Sequence, residues 1–213
     1  MSELIDIFDA NLKPKGKMER KEAHLAGEWH HTFHLWLCSS RHGGSLMFQL
    51  RSPEAKNFPG MLDVTAAGHL LTGETLEDGT REAQEELGIA VKNLEIESLG
   101  YRVEVADQEN GQRNREYQGV FLARDERSLD HYEPDPNEVY GVIDVPISDG
   151  YALFGGSRET IVCNYFAYDG DNWFLGEKEL SRQHFLPRIQ QYYLTMLIMS
   201  ERLLEGKAPL SIS

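Results

Sequence analysis

Between Gly68 and Ile89 the chain reads GHLLTGETLEDGTREAQEELGI, and this stretch concentrates side chains able to do chemistry. A helix over 76–87 turns about 100° per residue. It therefore gathers Glu82, Glu85 and Glu86 into an arc of roughly 100°, with Asp78 near it. Leu76, Ala83 and Leu87 share another face that can pack inward, and Gly88 suits a C-terminal cap. Carboxylates crowded in this way repel one another unless a cation neutralises them, and hard oxygen ligands select Mg²⁺ or Mn²⁺. A glycine loop over 68–73 precedes the helix. The bland alternative for the same residues is a solvated acidic face.

Composition narrows the partners. The 213 residues suffice for one sizeable core. Lys and Arg number 21 against 35 Asp and Glu, a formal charge of −14 that argues against a nucleic-acid backbone as partner. Small phosphorylated substrates remain compatible, because a bound divalent cation reverses the local field. Cys38 and Cys163 form no CxxC pair, so neither a thiolate zinc site nor a disulfide framework is expected. The first residues lack a basic-then-apolar signal pattern and no apolar run could span a bilayer. The expectation is therefore no membrane partner and a cytoplasmic location.

The elements that must position the acidic stretch are mostly strands. Residues 4–8 read as a short strand followed by a turn through Pro14. From His31, Phe33, Leu35 and Leu37 alternate with His34, Trp36 and Cys38, which predicts a strand. Residues 39–44 form a turn and 45–50 the returning strand. Residues 94–105 and 115–123 predict a hairpin, and 138–145 another strand. The glycine- and aspartate-punctuated segment 147–183 yields no assignment. Ile189, Tyr193, Met196, Leu197, Ser200 and Leu204 recur at helical spacing and predict a helix over 187–205. Its apolar face could serve a homodimer.

Residues 68–89 resemble the signature of the Nudix hydrolase family, G-x5-E-x7-R-E-U-x-E-E-x-G-U, where U is aliphatic. Gly68, Glu74, Arg81, Glu82, Glu85, Glu86, Gly88 and Ile89 match. Six residues separate Glu74 from Arg81 where the signature has seven, and the first U is the small Ala83. The resemblance implies an α+β fold, a Nudix-type α/β/α sandwich around a mixed β-sheet with a C-terminal helix. It would form a single domain over 1–213, with a core of about 28–146 and a C-terminal extension over 147–213. It also implies hydrolysis of a diphosphate linkage in a nucleotide or nucleoside-diphosphate-linked molecule. Glu82, Glu85 and Glu86, with the Ala67 carbonyl, would hold Mg²⁺ or Mn²⁺. Arg81 would orient a neighbouring carboxylate. Glu82 is the first choice of general base, with Glu116 and Glu138 in reserve.

The run Trp29-His30-His31 through Trp36, then Phe48-Gln49-Leu50-Arg51-Ser52, Lys56, Pro59-Gly60 and Ala67-Gly68-His69, is similar to a subgroup related to isopentenyl-diphosphate isomerases. Arg51 and Lys56 match positions that contact diphosphate in that branch, and Gly68 and His69 would border the phosphate. The isomerases' metal histidines match His24, His31 and His69. Of two metal and proton-transfer glutamates, one matches Glu116, while Asn114 stands at the other. The isomerases' catalytic cysteine falls at Ala67, which favours hydrolysis. An isomerase-like enzyme is the alternative activity, and a non-catalytic nucleotide-binding module the alternative class.

Overall fold

The computed structural model describes residues 3–188 and 190–213. A mixed sheet organises the molecule. Strands β1 (Leu4–Phe8), β2 (Pro14–Glu19), β3 (Trp29–Ser39), β4 (Ser45–Arg51), β9 (Val139–Pro146), β10 (Thr160–Tyr168) and β11 (Trp173–Ser181) run across it in the order β11-β10-β9-β4-β3-β1-β2. Short β5 (Leu62–Asp63) pairs with β4, and β6 (Ala66–His69) pairs with β3. The hairpin β7 (Ile96–Asp107) and β8 (Arg113–Arg124) joins through β8, which runs parallel to β3. Helices are α1 (Arg20–Ala26), α2 (Arg81–Leu87), α3 (Ile147–Phe154) and α4 (Tyr192–Leu204).

The alternation along β3 builds two cores, because successive side chains point to opposite faces. Phe33, Leu35 and Leu37 pack with Ala83 and Leu87 of α2. Trp36 and Cys38 pack with Tyr192, Met196 and Leu197 of α4. Burial of each such large apolar side chain is worth about 1.5–3 kcal/mol. Trp36 also donates its indole N–H to the Tyr192 hydroxyl at 2.9 Å, which fixes α4 in rotation against β3. The expected α+β sandwich with a C-terminal helix is therefore the observed architecture.

Several boundaries differ from the sequence expectation. The helix over 76–87 is a 3₁₀ turn, Glu77–Thr80, that passes directly into α2. Residues 147–183 resolve into α3 and the β10–β11 hairpin, whose turn closes when the Asp169 carboxylate accepts from the Asp171 and Asn172 N–H groups. That hairpin continues the sheet beyond β9. The last helix begins at Tyr192, not 187. Phe185 instead bridges to Leu62 and the Leu186 N–H bonds the Leu62 carbonyl, which holds this stretch extended along β5. Ile189, expected on the helix, lies outside the described residues. Among the described residues no helix is long and apolar enough to cross a membrane.

Candidate active site

The β6 strand and α2 assemble the acidic part of the site, and Arg81 ties them together. Its Nε donates to Glu74 Oε1 at 2.8 Å and Nη2 to Glu74 Oε2 at 3.2 Å. Nη2 also donates to the His69 carbonyl at 2.9 Å, and Nη1 to Glu82 at 2.6 Å and Glu85 at 3.2 Å. One planar guanidinium thus links the glycine loop to the first turns of the helix. Between Glu74 and Arg81 the chain makes the 3₁₀ turn, in which Gly79 packs against Phe33. A Cβ at Gly79 would sit 2.6 Å from that ring. Partial burial pushes the Glu74 carboxyl up, but Arg81 and the Leu71 N–H outweigh it and hold it below its ordinary range.

Glu82 and Glu86 face the loop across a narrow gap. A Cβ on Gly68 would lie 2.1 Å from the Glu82 carboxyl carbon, so only glycine admits that carboxylate. Burial, with repulsion from Glu85 and Glu138, raises Glu82 to about 7 despite Arg81. Glu86 is 6% exposed. Burial and the neighbouring Glu82 push it well above the carboxylate range, against hydrogen bonds from the Ala67 N–H at 3.0 Å and Gln49 at 3.4 Å. Glu138 is raised too, by burial and then by Asp135 and Glu85. Glu85 is the open member, its side chain 59% exposed. Ala67 meets this group through its N–H. Arg51 sits apart, donating to the Asn57 carbonyl at 3.2 Å and lying 3.7 Å from Asp63, and Lys56 is exposed.

Glu116 and His69 belong to a second cluster on the α4 side of the sheet. His24, His30, His69 and Glu116 present ligand atoms all within 4.8 Å of one another. His30 stands where His31 was expected, and the β3–β8 register is the reason. That register sets His30 beside Glu116 and His31 beside Tyr117, and neighbours in register share a face. His31 packs instead against Phe8, Tyr101 and Tyr117. Consecutive β6 residues serve the two clusters: Gly68 touches Glu82, while His69 Nε2 lies 2.9 Å from His24 Nε2.

The donor set suits a divalent cation. His30 Nδ1 lies 2.9 Å from the Glu28 carbonyl, which can only accept, so Nδ1 carries the proton and Nε2 presents a lone pair. That lone pair faces Glu116 Oε1 at 4.0 Å, and His30 Nε2 and His24 Nδ1 have no hydrogen-bond partner. Burial lowers His24 and His30 to about 4 and His69 well below its usual range, so the imidazoles are neutral. Three imidazoles and one carboxylate match Mn²⁺ or Zn²⁺ better than Mg²⁺. Gln118, Arg102, Glu104 and Arg188, which border this cluster, escaped the sequence reading. Their contacts depend on the β7–β8 register and on the fold-back of the segment before α4. A cavity of about 390 Å³ lined by Arg41, His42, Asp144 and Asn164, among others, includes none of the residues of either cluster.

A carboxylate-bearing helix behind a glycine loop, on a mixed sheet covered on both faces, defines the class. No family model matches the chain. Over 201 residues it is 32% identical to an uncharacterised Nudix hydrolase of Clostridium acetobutylicum, covering 92% of this chain and 95% of that one. The chain belongs to the Nudix hydrolase family, enzymes that act on phosphorus-containing anhydrides. It is also 33% identical over 100 residues to the isopentenyl-diphosphate Δ-isomerase of Pectobacterium atrosepticum, covering 46% of this chain and 55% of that one. A crystal structure from Deinococcus radiodurans shares the fold, with a TM-score of 0.58 and 23% identity over 73% of this chain and 91% of that one.

Proposed function

We propose that the protein is a divalent-metal-dependent pyrophosphohydrolase that cleaves a diphosphate linkage in a nucleotide or nucleoside-diphosphate-linked small molecule. The observation that carries this reading is the crowding of Glu82, Glu86 and Glu138, whose proton affinities are all raised beside the Gly68 loop. Such a group is costly until a cation neutralises it. Glu82, Glu85, Glu86 and the carbonyl of Ala67 would hold Mg²⁺ or Mn²⁺. A cation bound there withdraws charge from phosphate oxygens and makes water a better nucleophile.

The remaining work falls to the chain. Glu82, the partly buried carboxylate against the Gly68 loop, accepts the proton of the attacking water, and Glu138 is the second choice. Arg81 fixes the Glu82 carboxylate through their 2.6 Å contact. The Ala67 N–H and Gln49 fix Glu86. A screen of nucleoside di- and triphosphates, nucleotide sugars and dinucleotides with Mg²⁺ or Mn²⁺ tests the proposal. A Glu86→Gln protein that retained full turnover would sink it.

The histidine cluster favours a second reading, isomerisation of an isoprenoid diphosphate, because its donors fit a cation. Ala67 opposes it, since no thiol stands beside His69 and both Cys38 and Cys163 are buried elsewhere. Allylic product from isopentenyl diphosphate would support that reading, and its absence would eliminate it.

A further inference from the structure

Glu116 is the end of a buried chain of polar side chains that the hydrolytic reading leaves unused. Its Oε2 accepts from Gln118 Nε2 at 2.8 Å. Gln118 Oε1 accepts from Arg102, which also pairs with Glu104. Arg188 donates to the same Glu104 at 3.1 Å and, with its other nitrogen, to Asp63. Gln118 is fully buried, and the side chains of Arg102, Glu104 and Arg188 are 5%, 7% and 8% exposed. The guanidiniums lie over the Tyr192 ring, 4.6 Å from its centroid for Arg102 and 5.9 Å for Arg188.

The chemistry of the groups sets the direction of every bond. A guanidinium only donates, so Gln118 must turn its oxygen to Arg102 and its NH₂ to Glu116. Glu116 Oε2 is thereby occupied, and Oε1 is left facing the lone pair of His30. Without Arg102 the Gln118 amide could flip and present oxygen to oxygen. Arg102 is in turn held by Glu104, which Arg188 bridges to Asp63. Orientation of one carboxylate oxygen thus depends on a residue in the extended segment before α4.

We propose that Gln118, Arg102 and Arg188 are positioning residues that hold Glu116 Oε1 toward His24, His30 and His69, so that cation affinity at this cluster depends on docking of the segment before α4. The inference rests on the cluster accepting a divalent cation, and outer-shell partners of this kind typically alter metal affinity by about 10–100-fold.

Mn²⁺ binding, followed by the loss of free-ion electron paramagnetic resonance signal, is the test. It is made in a Glu82→Gln/Glu86→Gln background so that the acidic helix does not contribute. Thermal melting without metal reports folding alongside. His30→Ala abolishes binding if the cluster is the site. Binding by His30→Ala equal to its parent overturns the cation reading and the inference with it. Given loss in His30→Ala, Gln118→Met and Arg188→Met weaken Mn²⁺ binding by about tenfold or more, and Arg188→Lys recovers part of the loss. Arg188→Met touches no ligand and so remains informative if Gln118→Met fails to fold. Parental affinity in a folded Gln118→Met or Arg188→Met protein overturns the positioning role while leaving the cation site standing.

Discussion

Replacing Glu82 by Gln should make the metal-free protein more stable at alkaline pH. The side chain is 12% exposed and lies against Gly68, and burial raises its carboxyl from the ordinary 4.5 to about 7. A carboxyl raised on folding binds its proton more tightly in the native state. The native state therefore holds more protons than the unfolded state between these two values, and stability falls as pH rises through that window. Stability from Glu82 is fully present below about 4.5 and lost by about pH 8. At about 1.4 kcal/mol per pH unit, the span from 4.5 to about 7 is worth up to about 3 kcal/mol. Glutamine mimics the protonated acid and does not titrate. Urea melts in EDTA should find Glu82→Gln more stable by about 1 kcal/mol at pH 5 and by about 3 kcal/mol at pH 8. His24, His30 and His69 are lowered and so contribute the opposite slope, with stability lost as pH falls below 6.5. They are common to both proteins and cancel in the difference. A wild-type-minus-variant difference that stays flat from pH 5 to 8 would refute the placement of Glu82 in a buried, repulsive gap.

Gly68→Ala places a methyl 2.1 Å from the Glu82 carboxyl carbon and must displace it. Steady-state kinetics should register a fall in kcat of about 100-fold with a smaller change in KM, as expected for a misplaced catalytic group. Arg81→Lys keeps the charge but cannot reach Glu74, the His69 carbonyl, Glu82 and Glu85 together. Calorimetry should find it less stable by about 1–3 kcal/mol, and turnover should fall with it. His30→Ala should lose Mn²⁺ binding at the histidine cluster while His31→Ala keeps it, since His31 faces Tyr101 and Tyr117. Equal loss in both variants would contradict the assigned register.

The acidic helix was legible because its information is local. The spacing of Glu82, Glu85 and Glu86 and the glycine cap at Gly88, with φ 69°, follow from helical geometry alone. The strand from His31 and its return over 45–50 were legible for the same reason, through the alternation of Phe33, Leu35 and Leu37. Choosing His30 over His31 needed the parallel β3–β8 register, a contact between residues more than eighty positions apart. Residues 147–183 gave no clean period because, although burial largely alternates along β10 and β11, apolar residues also occupy the open positions, with Val162 and Leu175 more than half exposed. The start of α4 was misjudged because 185–188 is drawn out by Leu62, Asp63 and Glu104, partners that helix propensity does not encode.

The central claim is that the α2 carboxylates form the hydrolytic centre, and a Mg²⁺ titration of turnover tests it most directly. The best substrate from the screen would be assayed with wild type and with Glu82→Gln/Glu86→Gln, both shown to be folded by their melts. Wild type should turn over only with the divalent cation, and the double variant should retain less than about one hundredth of that rate. Full turnover in EDTA, or a double variant with the wild-type rate and Mg²⁺ dependence, would contradict it.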